Sequence, residues 1–250
     1  MTTDTASQPA GGRVDAAAVR AVEQEGFALL EQAYDETALA ALDAALAPAV
    51  DAGKVARSGG TFAARNVLRA APGVADAWRT DLLADLVART LGGSAGLVMA
   101  TFFDKPPGDS WAVPYHKDLT IAVKPGRVDS SLFSLPRLRD GVAVVEAPLS
   151  VLRGMLTLRV HLDPTDRDNG PLRVLVGSHA TGKTLRVEGF DAAPVYAAAG
   201  DVLALRPLLA HASGHARPGV DRHRRVLQLT FAGREDLPDG YRWDQFVPVG

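Results

Sequence analysis

The chain has 250 residues, 47% of them hydrophobic and 22% charged, with a formal net charge of −2. That length can bury a substantial core, and the near-neutral charge supplies no basic field for nucleic acid or an anionic membrane. There is no cysteine, which excludes disulfides, thiolate metal sites and a cysteine nucleophile, so any metal must be held by His, Asp or Glu.

Residues 1–13 are rich in Thr, Gly and other small residues and are expected to form a disordered tail. They lack a basic stretch followed by an apolar core, so no signal peptide is expected. No apolar run reaches the roughly 20 residues of a membrane span. A cytoplasmic protein acting on a small molecule, with no nucleic-acid or membrane partner, is the expectation; the composition leaves the oligomeric state open. Residues 14–24 read as a helix and Gly26–Leu30 as a strand. Residues 35–51 carry Leu39, Leu42 and Leu46 at helical spacing behind an acidic start. A further helix is expected over residues 73–91, with Gly92-Gly93 as its stop.

Beyond residue 96 the texture changes. Leu97–Phe103, Leu119–Val123, Met155–Leu162, Leu172–Val176, Val202–Leu205 and Val226–Phe231 are short apolar or alternating runs separated by Gly, Pro and Asp. The expected fold is mainly β with flanking helices: a double-stranded β-helix (jelly roll, cupin-like) core over about 96–235, buttressed by N-terminal helices over about 14–95. Residues 14–250 are read as one domain. Residues 124–148 read as a long irregular insert, a kind of connection that is usually functional or mobile.

The chemistry points to His116-Lys117-Asp118, with His211 far downstream and basic residues at 222, 224 and 225 after it. In an extended segment the two outer residues of an HxD share one side. Two imidazoles and one carboxylate suit a redox-active iron with positions left open, and an arginine can hold an acidic cosubstrate bidentately. A second HxD, His161-Leu162-Asp163, competes with the first. His161 closes a strand, and Asp163 suits the turn that follows, so a strand histidine and a turn aspartate are the better reading there. His116 follows a Pro- and Gly-rich loop that sets it beside Trp111 and Tyr115. Gly177-Ser-His179 reads as a turn, and His215 and His223 as solvated loop residues.

Three blocks carry a resemblance: Phe102–Gly108 with Trp111 and Val113–Val123; Met155–Asp163 with Asn169–His179; and Gly200–Ser213 with His223–Val226. Over roughly residues 97–232 the chain resembles the phytanoyl-CoA dioxygenase family of iron(II)- and 2-oxoglutarate-dependent oxygenases. The resemblance implies His116, Asp118 and His211 as metal ligands and catalytic centre, with Fe(II), 2-oxoglutarate and O2 as cofactor and cosubstrates. It also implies an arginine beyond the distal histidine for the cosubstrate carboxylate. Arg224 shares a strand face with Val226, Gln228 and Thr230, whereas Arg225 sides with Leu227, Leu229 and Phe231; the polar face suits a cavity, so Arg224 is preferred, with Arg222 as the alternative.

Ser213 resembles the hydroxyl that assists this carboxylate, and Lys105 either assists it or simply sits in a loop. Trp111, Tyr115 and Arg65 are candidate substrate residues. Two positions depart from the family: Lys117 where glutamine is usual, and Tyr115 where tryptophan is. The intact Asp118 argues for hydroxylation, because halogenating relatives carry Gly or Ala there. Desaturation or cyclisation would use the same centre. A metal-dependent hydrolase or isomerase with Zn or Mn, or a non-catalytic jelly-roll module, are the readings from other classes.

Overall fold

Capping side chains start the first helices of the chain. The computed structural model describes residues 12–52, 62–126 and 129–250, so the expected tail lies almost wholly outside the described residues. Helix α1 (Ala16–Gln24) begins where the Asp15 carboxylate accepts from the amide of Ala17 at 2.9 Å. Strand β1 (Phe27–Leu30), helix α2 (Glu36–Ala52), strand β2 (Phe62–Ala64) and the short helices α3 (Val67–Ala70) and α4 (Val74–Ala77) follow. Helix α5 (Asp81–Leu91) starts at Thr80, whose hydroxyl accepts from the Leu83 amide at 3.3 Å.

The single helix expected over 73–91 is therefore two helices. Thr80 lies in extended backbone (φ −114°, ψ 157°) and acts as an N-cap, which ends helical continuity between Ala77 and Asp81. The break turns Trp78 into the core, where its ring meets Phe231 edge-on with centroids 4.7 Å apart. The Tyr34 hydroxyl donates to the Trp78 carbonyl, one of the groups a helix end leaves without a partner.

The remaining elements are β3 (Gly96–Lys105), β4 (Val113–His116), β5 (Thr120–Ala122), β6 (Arg137–Arg139), β7 (Val142–Glu146), α6 (Leu149–Arg153), β8 (Met155–His161), β9 (Leu172–Leu175), β10 (Ala192–Val195), β11 (Val202–Leu205), β12 (His211–Ser213), β13 (Arg224–Ala232) and β14 (Val247–Pro248). Strands β1, β11, β8, β13, β3 and β14 lie side by side in that order, with β2 also against β3. A second sheet runs β10-β9-β12-β4, and a third β5-β7-β6. All named pairings are antiparallel. The result is the jelly roll that the alternating runs imply, with helices on one flank.

Alternation decides which side chain meets which layer. On β8 and β13, Leu156, Leu158, Val160, Leu227, Leu229 and Phe231 face the helices and pack with Leu42, Leu46, Trp78, Leu83 and Leu86. A fully buried side chain of this size stabilises by roughly 1.5–3 kcal/mol, so this layer fastens the helices to the sheet. The opposite face of the same strands carries Thr157, Arg159 and His161, in register with Thr230, Gln228 and Val226, and Arg224 in register with Lys105 of β3. That inner polar face is the floor of the site.

Residues 124–148, expected to be irregular, contain the β6–β7 hairpin. Its turn is Asp140-Gly141, with φ of 49° and 80°. Two successive positive φ values are what a type I′ turn requires, and Asp-Gly tolerates both. Arg65 donates to the Asp140 carboxylate at 3.1 Å and Asn66 to the Asp140 carbonyl at 3.0 Å, which ties the hairpin tip to the loop after β2. Among the described residues no helix is long and apolar enough to cross a membrane.

Candidate metal centre

Pairing of β12 with β4 sets His211 opposite His116. The two rings lie with centroids 4.3 Å apart, inclined by 55°. Strand β4 ends at His116, and Asp118 follows just beyond it, its amide donating to the Pro207 carbonyl at 2.9 Å. His116 Nε2 is 3.8 Å from Asp118 Oδ1, and His211 Nε2 is 3.9 Å from Oδ2. These distances are too long for hydrogen bonds, yet one ligand atom from each residue lies within 4.8 Å of the others.

The tautomers are set by the backbone. His116 Nδ1 donates to the Pro114 carbonyl at 2.9 Å and His211 Nδ1 to the Leu209 carbonyl at 3.0 Å. A carbonyl only accepts, so each ring carries a proton on Nδ1 and turns Nε2 toward Asp118. Burial holds the His211 imidazole below its ordinary range, against the opposing pull of Asp118. Two imidazole nitrogens, one carboxylate and no sulfur fit iron(II).

Lys117, between the two ligands, points the other way. Its ammonium is buried and donates to the Ser178 carbonyl at 2.9 Å, the Thr181 hydroxyl at 2.8 Å and the Gly182 carbonyl at 2.7 Å. The Ser178 hydroxyl accepts from the Ala210 amide at 2.8 Å. One short turn, Ser178–Thr181, therefore grips the segments that carry His116, Asp118 and His211. His179 takes no part in the cluster; its Nε2 donates to the Glu23 carbonyl at 3.0 Å.

Away from the triad, the inner sheet face gathers cations. Lys105, Arg159 and Arg224 are 3%, 8% and 5% exposed and share a cavity of about 620 Å³ with the triad. Among the described residues on its wall, Asp118 is the one carboxylate. Arg224 and Lys105 are register partners on β13 and β3. Lys105 donates to the carbonyls of Trp111 (2.7 Å) and Gly214 (2.9 Å) and to the Ser213 hydroxyl (3.3 Å). Burial, then the nearby Arg224 and Arg159, push the Lys105 ammonium down to about 7. Burial and Arg159 push Arg224 down to about 9. The Nε atoms of Arg159 and Arg224 are buried without a hydrogen-bond partner. Buried cations in such excess fit a bound multivalent anion, as 2-oxoglutarate is.

Gly170 keeps this region tight. It adopts φ +73°, and a Cβ there would lie 2.4 Å from the Gly214 carbonyl that receives Lys105.

The other candidate residues separate cleanly. Arg222 is exposed and pairs with Asp166. Arg225 faces away from the cavity and binds Asp163 and Asp43, both at 2.9 Å. The competing HxD is thus split: Asp163 serves Arg225, while His161 meets the Thr165 hydroxyl at 3.0 Å, and burial pushes its imidazole down to about 3. Ser213 and Trp111 line the cavity, and the Trp111 ring lies 5.0 Å from the Lys105 ammonium. Tyr115 does not line it, because alternation along β4 turns it to the face opposite His116. Arg65 lies at the rim, paired with Asp140. Of the two loop histidines expected to be solvated, His215 donates to the Ser110 carbonyl at 3.0 Å and His223 pairs with Asp104 at 2.9 Å.

Arg159 was not foreseen from the sequence, and Gln228 was foreseen only as part of the polar strand face. Arg159 Nη1 donates to Gln228 Oε1 at 2.6 Å, and Gln228 Nε2 lies 3.5 Å from Asp118 Oδ2. The available signal was a charged residue at the centre of an otherwise apolar strand, a placement that demands a partner. A second cavity of about 140 Å³ adjoins the first at Asp118 and Gln228 and is walled by Met99, Thr101, Thr157 and Thr230, with Arg65 and Arg139 at its edge.

The family model for phytanoyl-CoA dioxygenase matches residues 22–224. No curated protein matches the chain. Among solved structures, it is similar to SnoK, a non-heme alpha ketoglutarate dependent carbocyclase from nogalamycin biosynthesis, at 15% identity and TM-score 0.68 over 94% of this chain and 92% of that one. It is similar to the epimerase SnoN in complex with Fe3+, alpha ketoglutarate and nogalamycin RO, at 15% identity and TM-score 0.63 over 90% of each chain. It is also similar to EctD from S. alaskensis, solved with 2-oxoglutarate and 5-hydroxyectoine, at 17% identity and TM-score 0.63 over 91% of this chain and 79% of that one. At these identities the likeness is one of fold. The match over residues 22–224 places the chain in the phytanoyl-CoA dioxygenase family, and with its His-Asp-His donor set it is an iron(II)- and 2-oxoglutarate-dependent oxygenase.

Proposed function

We propose that the protein hydroxylates an unactivated C–H bond of a small metabolite. The convergence of His116, Asp118 and His211 with both Nε2 atoms facing the carboxylate carries this reading. Iron(II) and 2-oxoglutarate, when bound, would supply the oxidising power for dioxygen to hydroxylate the C–H bond, with succinate and carbon dioxide as co-products. His116, Asp118 and His211 would hold the metal. Arg224 holds the distal carboxylate of 2-oxoglutarate, with Ser213 and Lys105 beside it, while burial strengthens that contact by excluding water. As a metal ligand, Asp118 would leave no place for a halide, which favours hydroxylation over halide transfer. Trp111 and Arg65 shape the approach to the metal, and the smaller cavity offers threonine hydroxyls and methionines to an amphipathic substrate. The nogalamycin and 5-hydroxyectoine connections of the similar structures support a small-metabolite substrate in a biosynthetic pathway.

The test begins anaerobically. Protein loaded with Fe(II) should develop the visible metal-to-ligand band on addition of 2-oxoglutarate, and oxygen should then release succinate. Turnover of any substrate without oxygen would sink the reading in favour of a hydrolase or isomerase. A product heavier by one oxygen atom, labelled from ¹⁸O2, marks hydroxylation, whereas a loss of two hydrogens marks desaturation or cyclisation by the same centre.

A further inference from the structure

The inner face of the sheet holds one more arginine than a single distal carboxylate needs. Arg224 sits beside Lys105 at the end of the cavity where Ser213 and Gly214 close it. Arg159 sits elsewhere. It is the register partner of Gln228, four residues further along β13, and Gln228 in turn reaches Asp118. Its guanidinium lies 5.8 Å from the centroid of the Phe103 ring, which separates the Arg224–Lys105 row from the Gln228–Thr101 row. Arg159 is 8% exposed, receives no carboxylate contact, and keeps a buried Nε without a partner. A buried guanidinium satisfied at one nitrogen by a neutral amide, on the wall of a ligand cavity, is poised for an anion.

We infer that Arg159 binds the keto-acid end of 2-oxoglutarate, the carboxylate next to the metal, while Arg224 binds the distal end. This rests on the keto-acid reading above. The two arginines then recognise the two carboxylates separately, and Gln228 holds the Arg159 fork in orientation beside Asp118. The assignment sets Arg159 apart from a residue that merely positions Asp118 through Gln228, because it predicts direct dependence on the ligand's first carboxylate.

Ligand truncation separates these roles. The probes are 2-oxoglutarate and 2-oxopentanoate, which has the same chain length without the distal carboxylate, each titrated anaerobically into Fe(II)-loaded protein and followed by the visible band. Arg159→Gln should weaken both acids by the same factor, about tenfold or more, with a smaller change in Fe(II) affinity measured without any keto acid. Arg224→Gln should weaken 2-oxoglutarate alone. Loss confined to 2-oxoglutarate, no loss at all, or a loss wholly accounted for by weaker Fe(II) binding would each overturn the assignment. If Arg159→Gln does not fold, Arg159→Lys answers the same question through a smaller loss shared by both acids. A wild-type protein that binds neither acid would instead overturn the keto-acid reading itself.

Discussion

Affinity for 2-oxoglutarate should fall as pH rises above neutrality if Lys105 lies beside the distal carboxylate as proposed, because it starts from a depressed pKa. In the free protein burial and two neighbouring guanidiniums lower it from 10.5 to about 7. A bound dicarboxylate supplies the missing counter-charge and returns it toward the ordinary lysine value. The sign follows from proton counts. Below pH 7 Lys105 is already charged in free protein, so affinity is flat. Above pH 7 the complex holds more protons than the free protein, and affinity falls toward tenfold per pH unit. Between pH 7 and pH 8.5 the loss comes to about sixteenfold, or roughly 1.6 kcal/mol. Anaerobic titration of the Fe(II)-loaded protein between pH 6.5 and 8.5 measures it. The ligand is fully ionised throughout, and Fe(II) loading before the titration keeps the metal site constant. Lys105→Met should bind more weakly at pH 7 and show no slope. A flat wild-type profile, or a Met variant that keeps the slope, would refute the reasoning.

His161 should shape acid stability. Its imidazole is pushed down from 6.5 to about 3, so the unfolded chain protonates first as pH drops. Its contribution is present above pH 6.5 and is lost as pH falls toward 3, about 2 kcal/mol of it by pH 5. Unfolding free energies from denaturant titrations of wild type and His161→Gln, at equal metal loading, should change relative to each other by that amount between pH 7.5 and pH 5; parallel profiles would exclude it. Lys117→Met removes the grip on Ser178, Thr181 and Gly182 and should weaken Co(II) affinity by about 10–100-fold. Lys117→Gln should recover part of that loss. A variant with lower Tm but an unchanged Co(II) affinity and spectrum would make Lys117 a packing residue only.

Local pattern carried much of this protein. Period-2 alternation along 224–231 assigned Arg224 and Gln228 to one face and Arg225 to the other, because the pleat leaves no third choice. The apolar spacing of residues 35–51 specified an amphipathic helix, and the absence of cysteine confined metal chemistry to His, Asp and Glu. The helix break at Thr80 and the Asp140-Gly141 hairpin were visible in principle. Helical apolar spacing on both sides hid the first, and the exposed Arg137-Leu-Arg139 strand, which lacks an apolar face, hid the second. What local pattern could not decide is which distant groups meet. Lys117 finds its acceptors 61 to 65 residues away, Arg159 its amide 69 residues away, and His211 its partner across a strand pair from the other half of the chain. Such contacts depend on how the sheets close on each other. The sequence therefore determined which residues offer metal-binding and anion-binding chemistry, and closure of the jelly roll decided which of them share a cavity.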